Sequence, residues 1–253
     1  VQMDVNVEIY DMFFSRRFLE HVLQRIAHER QHLLEVQEKR QLDEEEQELL
    51  DKLLTCTPEL FEQFSNDVER AKKILRSQAF YDIDQLEWAT NCLHQVMTLI
   101  SLGYYPAQIC FPPIETDIVY KPFMSSEIIE SLDDDQINIY RDVYAMLIRP
   151  VMERDRPAMV GISVVQQKQL IPTFTFCKMI KEEFPGTHIT LGGNIITRIR
   201  DMLPGMENLW EMFDSAIVYE GESAYLKLME AVKNDDDFSS LPNLIYKDES
   251  GIH

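Results

Sequence analysis

The sequence has few cysteines, few glycines and few basic residues, and each shortage narrows the function. Its four cysteines, Cys56, Cys92, Cys110 and Cys177, lie far apart, with no CxxC and no CxxxCxxC among them. Scattered thiols in a chain of 253 residues read as reduced, buried side chains of a cytoplasmic protein rather than as a disulfide framework. They also exclude an iron–sulfur cluster held within this chain, which needs three or four clustered thiolates. No apolar run approaches the roughly 18 residues that would cross a bilayer, and no signal peptide is visible. The chain opens Val1-Gln2-Met3-Asp4 instead of with Met, so the expectation is an N-terminus that is cut or processed. Lys and Arg number 24 against 44 Asp and Glu, a net charge of −20. That balance argues against nucleic acid as a partner, because phosphate contacts need clustered cations. It argues equally against an anionic membrane surface.

What is present suffices for a globular core. Hydrophobic residues make up 45% of the chain, the level of an ordinary folded domain. Two compositions meet near Pro157. From Asp11 to Met152 the sequence is acidic and helical in pattern, with Gly103 its only glycine. Leu60, Phe64, Val68, Ala71 and Leu75 recur at three- and four-residue steps and predict one apolar helix face, with Thr57 as cap and Pro58 as first helical residue. Leu86, Ala89, Leu93, Val96 and Ile100 predict a second helix ending at Gly103. Glu44-Glu45-Glu46 reads as a solvated helix face. Four prolines between Pro106 and Pro122 predict an irregular connector.

After Pro157 the pattern changes to strand and helix in alternation. Ala158 to Val165 predicts a buried strand, Leu170 to Phe184 a helix with Pro172 in its first turn, and His188 to Leu191 a second strand. A looser helix over Thr197 to Trp210 precedes a third strand, Ala216 to Tyr219. Tyr225, Leu228, Met229 and Val232 mark a last helix, and Leu244-Ile245-Tyr246 a closing strand. Such alternation implies an α/β fold with a parallel sheet covered on both faces. Val1 to Val7 alternates apolar and polar residues as an edge strand would. If residues 1–10 supply a strand of that sheet, residues 11–156 are a large helical insertion and residues 157–253 the α/β core. If not, the helical block is a separate subdomain.

Open parallel sheets bind ligands beyond the carboxyl ends of their strands. Three such ends carry candidate residues: Ser163, then Gly192, Gly193 and Asn194, then Glu220, Gly221 and Glu222. Paired glycines let a ligand approach the backbone, and Glu222 with Ser223 would meet the free amides of a helix N-terminus. The competing explanation is that the same residues only make tight strand-to-helix turns.

The order Val160-Gly161-Ile162-Ser163-Val164, Leu191-Gly192-Gly193, Val218-Tyr219-Glu220-Gly221-Glu222 and Leu241-Pro242-Asn243-Leu244-Ile245-Tyr246 resembles the N-terminal cobalamin-binding-type domain of radical S-adenosylmethionine proteins. The resemblance covers about Pro157 to His253, and Met3-Asp4-Val5-Asn6 looks like the second strand of the same domain, with a first strand upstream of Val1. It implies a Rossmann-like, flavodoxin- or cobalamin-binding-like fold and a partner barrel in which a CxxxCxxC loop holds a 4Fe–4S cluster and cleaves S-adenosylmethionine. That barrel lies outside this chain, which by itself would catalyse nothing. By resemblance Ser163 occupies the serine of a Ser-x-Leu motif, with Val165 in place of Leu, and Gly192 and Gly193 lie beside the nucleotide tail of the cofactor. The Asp-x-His-x-x-Gly that ligates cobalt from below is absent, and relatives include both cobalamin binders without a His ligand and members that keep the domain as a scaffold. A helical insertion before the Gly-Ile-Ser strand points to the branch that matures peptides or natural products, with a peptide or small molecule as substrate.

Two rival readings remain open. In the first, the chain is a non-catalytic interaction module whose helical block recognises a peptide or partner and whose α/β fold is vestigial. In the second, His28-Glu29-Arg30-Gln31-His32 is an HExxH zinc-hydrolase motif, two His on one helix face with Glu29 as general base. Its charged flanks, Glu35, Glu38, Lys39 and Arg40, are unlike the dry cavity such catalysis needs. His94 and His188 read as packing residues. Asp133 to Asp135 and Asp235 to Asp237 read as loop or cap clusters without a full calcium loop.

Overall fold

The computed structural model describes residues 5–110 and 115–253. The chain divides into two compact units, Val1–Val119 and Tyr120–His253.

The first unit is a helical bundle of α1 (Val5–Phe13), α2 (Arg16–Lys39), α3 (Glu44–Thr55), α4 (Pro58–Leu75) and α5 (Ile83–Gly103), followed by a hairpin of β1 (Gln108–Cys110) and β2 (Glu115–Asp117). The strand expected over Val1 to Val7 is helical from Val5, and Val1 to Asp4 lie outside the described residues. Among the residues whose burial is described, Ile9, Met12 and Phe13 are buried there, a helical spacing that short-range alternation masks. The connector expected between Pro106 and Pro122 contains the hairpin instead.

Helix α4 starts as its sequence requires: the Thr57 hydroxyl accepts from the Leu60 amide, and Pro58 follows. Its buried stripe is Phe61, Val68, Ala71 and Ile74, one step round from the expected face, so Leu60, Phe64 and Leu75 lie half-buried at its flank. Asp43 and Glu46 close a capping box at α3, and Arg40 pairs with Glu46. Arg40 and the Asp43 amide together hold the Glu46 carboxyl down at about 2. Phe13 and Phe18 stack at 4.9 Å between ring centres. Arg25 donates to the Gly103 carbonyl at 2.9 Å while its guanidinium lies 4.2 Å from the centre of the buried Tyr104 ring.

The second unit is α/β. Its five-stranded sheet runs β3 (Met159–Ser163), β4 (His188–Gly192), β5 (Ser215–Ile217), β6 (Leu244–Asp248) and β7 (Gly251–Ile252), in that spatial order. Strands β3, β4 and β5 are parallel, whereas β6 and β7 are antiparallel to their neighbours, so the sheet is mixed and not wholly parallel as expected. Helices α9 (Leu170–Glu183) and α10 (Asn194–Ile199) make the two parallel crossovers, and α11 (Glu222–Asn234) follows β5. The helix expected over Thr197 to Trp210 breaks into α10, which stops at Ile199, and two 3-10 turns, Leu203–Gly205, which holds Pro204, and Glu207–Leu209. Ala224 and Leu228 of α11 cluster with Ile217 of β5.

The structural division falls about forty residues before the change of composition at Pro157. Helices α6 (Ser125–Leu132) and α7 (Tyr140–Val143) pack on α9, with Ile128, Leu132, Ile139 and Val143 buried. A π-helical turn, Tyr144–Ile148, joins α7 to α8 (Arg149–Asp155). Acidic helices of both units thus share one composition. What separates them is which core their apolar faces enter.

Candidate functional site

The parallel register brings the three candidate strand ends together. Ser163 is the partner of Gly192 across β3 and β4. Beyond that pair the Val164 amide donates to the Gly192 carbonyl at 2.8 Å, and the Ile195 amide to the Val164 carbonyl at 3.1 Å. The third end joins through α10: the Tyr219 amide donates to the Thr197 hydroxyl at 2.8 Å. Asn243 adds a brace, its backbone carbonyl accepting from the Val218 amide at 2.9 Å and its side-chain amide donating to the Glu220 carbonyl at 3.4 Å.

The result is one polar ledge along the carboxyl edge of the sheet. The side chains of Ser163, Asn194, Glu220 and Glu222 are exposed on it, with no hydrogen-bond or ion-pair partner among the described residues. Glu222 begins α11, where a carboxylate is favoured by the unpaired amides of the first turn. Val165 departs from the row. Its side chain is 54% exposed and its amide is tied back to the Gln169 side chain at 2.7 Å, so it belongs to the turn before α9.

The two glycines of the pair have different causes. Gly193 has φ 95° and ψ 178°, a region that only glycine adopts without strain. A β-carbon there would stand 2.6 Å from the Val164 carbonyl oxygen and 3.0 Å from the Ser163 hydroxyl. The turn itself therefore requires Gly193, as the competing explanation held. Gly192 is under no such constraint, since its added β-carbon would meet only the Ile217 oxygen at 3.7 Å, an ordinary contact. Gly221 is similar, with the Ile217 methyl at 3.4 Å.

Sequence reasoning missed Thr197, Tyr219 and Asn243. Tyr219 and Asn243 both hold positive φ, 63° and 57°. Asn after Pro242 carries a signal, because Asn tolerates the left-handed region, but a tyrosine there carries none. The Arg200 guanidinium lies 5.2 Å from the Tyr219 ring centre.

The opposite edge of the sheet is built for stability. Lys181 pairs with Asp214 at 2.7 and 2.8 Å, and Asp214 accepts from the Ile189 amide at 2.6 Å. His188 contacts the Ser215 hydroxyl at 2.8 Å and is set edge-on to Phe238, the structural role expected of it. Burial pushes its pKa down. His94, expected to pack, is exposed. Cys56, Cys92 and Cys177 are buried free thiols, and Cys110 is an exposed one.

His28 and His32 lie exposed on α2, and among the described residues no group of three or more His, Cys, Asp or Glu is placed to hold a metal ion. None of the helices among these residues is long and apolar enough to cross a membrane. Fold and site together define an α/β domain whose parallel strand ends form one open polar ledge. No protein-family model, curated protein or solved structure matches the chain.

Proposed function

We propose that this chain is the N-terminal, cobalamin-binding-like domain of a radical S-adenosylmethionine enzyme that matures a peptide or natural product. The observation that carries the reading is the convergence of Ser163, Gly192–Gly193 and Glu220–Glu222 on one edge of the sheet, where α/β folds of this kind take their ligands. A Rossmann-like sheet also accounts for the parallel β3–β4–β5 core and for the outer edge of β3, which pairs with no strand among the described residues.

The ledge suits the tail of a large cofactor in two respects. The backbone at Gly192 is little crowded, an added β-carbon meeting only the Ile217 oxygen at 3.7 Å, and Ser163 and Asn194 offer hydrogen-bonding groups with no partner among the described residues. It provides no His, so any cobalt ligand from below would come from elsewhere. Bound cobalamin would supply cobalt-centred group transfer, while Ser163, Gly192, Asn194 and Glu222 would position it. The 4Fe–4S cluster and S-adenosylmethionine belong to the barrel in this reading, and the barrel is the domain's own partner.

Titration with hydroxocobalamin, followed by visible absorbance, tests the cofactor role. Saturable binding that Gly192→Val abolishes, with far-UV circular dichroism unchanged, is the expected result. Unsaturable spectra, or a Gly192→Val variant that binds equally well, overturn that role. A CxxxCxxC motif in the parent reading frame is the expected mark of the enzyme class, and a parent reading frame without one ends that assignment.

A second reading is favoured by one observation in the helical unit. Tyr81 and Ile83, both 79% exposed, project beside Phe80 at the corner between α4 and α5. Exposed apolar groups so clustered suit a partner-interaction module. Capture of the peptide substrate by residues 1–119 alone, lost on Tyr81→Ser with Ile83→Ser, would favour it.

A further inference from the structure

A second cavity lies in the α/β unit, apart from the ledge. It is an apolar pocket of about 260 Å³ among α6, α9, α10 and the 3-10 turns that follow α10. Ile128, Phe174, Ile195 and Leu209 form its buried wall. Phe123 and Met202 stand exposed at its mouth, which keeps apolar surface in water that a ligand would cover.

Three polar side chains also line the pocket: Ser125, Gln167 and Arg198. Among the described residues none of the three side chains has a hydrogen-bond or ion-pair partner. A concave apolar surface with a few convergent polar groups is how proteins build small-molecule sites. The charge of the wall is equally informative. The chain carries 44 acidic residues, yet none lines this pocket, and its single charged lining residue is Arg198, which is exposed and so stands at the rim. Size sets the other limit, because 260 Å³ falls below the roughly 300–1,000 Å³ of sites for drug-sized ligands. A corrin ring is excluded, whereas a short aliphatic or single-ring body fits.

We propose that this pocket binds a small amphipathic carboxylate, its apolar body against Phe174 and Leu209 and its carboxylate paired with Arg198. The planar guanidinium can meet both carboxylate oxygens at once, which selects a carboxylate over an alcohol or an amine. None of the ledge residues lines the pocket, so the proposal stands whether or not the ledge takes cobalamin.

Isothermal titration of the chain with octanoate, 1-octanol and octylamine tests it. Octanoate is expected to bind about tenfold more tightly than either of the others. Arg198→Gln, an exposed substitution, should bring octanoate down to the level of octanol and leave octanol unchanged. Gln167→Trp and Ile199→Phe should each crowd the pocket and weaken octanoate and octanol alike. Equal binding of octanoate and octanol overturns the proposal, as does an Arg198→Gln variant with unaltered octanoate affinity. Failure of octanoate to bind at millimolar concentration overturns it as well. The cobalamin titration reads the other site, so the two ideas fail separately.

Discussion

Gly193 is pressed against Val164: a β-carbon on the glycine would lie 2.6 Å from the Val164 carbonyl oxygen and 2.8 Å from its nitrogen. Those same backbone groups carry the ladder beyond β3, donating to Gly192 and accepting from Ile195. Gly193→Ala therefore combines backbone strain with a clash that flexible side chains cannot relieve. It should cost about 2–4 kcal/mol of stability in urea unfolding. Gly192→Ala should stay within about 0.5–1 kcal/mol, since its β-carbon meets only an ordinary contact. If both variants unfold alike, the separation of turn glycine from open glycine fails, and with it the use of Gly192 as a probe of the ledge.

Much of this unit was legible because its strands are short, β-branched and followed by turn residues. His188 to Leu191 became β4, and Leu170 to Phe184 became α9, each within a residue or two of expectation. The direction of β6 was not legible. Leu244 to Asp248 has the same apolar character whichever way it runs, and pairing of Ser215 with Tyr246 and of Ile217 with Leu244 decides it. The N-terminal residues misled for a different reason. Seven residues of alternation look like a strand, and the longer step from Ile9 to Met12 and Phe13 reveals the helix. At the ledge, the polar strand-end residues could be named from sequence, while the bracing by Thr197, Tyr219 and Asn243 depends on contacts between distant segments.

His188 should make stability depend on pH. Burial is the main cause of its lowered pKa, and Lys181 adds to it while Asp214 opposes it. Its ring touches the Ser215 hydroxyl and the Phe238 ring, while the nearby Asp214 charge is itself paired with Lys181. In the unfolded chain the imidazole takes up its proton near pH 6.5, whereas the folded one does so only at lower pH. The neutral folded form is thus fully stabilising above about 6.5 and is lost progressively as pH falls below it. Melting temperature should drop more between pH 7.5 and 5.5 in the wild type than in His188→Gln, by about 2–4 °C for each kcal/mol involved. Identical pH slopes for the two proteins would refute this account.

The HExxH segment offers a negative control. His28 and His32 are exposed on α2, and no third ligand gathers with them among the described residues. His28→Ala and His32→Ala should each change stability by no more than about 0.5 kcal/mol. Equimolar zinc, or a chelator, should leave the melting temperature where it was. A zinc-dependent rise that either substitution removes would revive the hydrolase reading.

Thr190 points to a gain in stability. It lies in the middle of β4, beside Gly161 on one side and Ser215 on the other, and is almost fully buried. Its hydroxyl has no hydrogen-bond partner among the described residues. A buried hydroxyl left unpaired loses its hydration without compensation, and a methyl of the same shape has none to lose. Valine also keeps the β-branched form that suits a central strand. Thr190→Val should therefore stabilise the chain by about 0.5–1.5 kcal/mol, read as a higher urea midpoint at unchanged slope. A lower midpoint would mean that the hydroxyl finds a hydrogen-bond partner in solution.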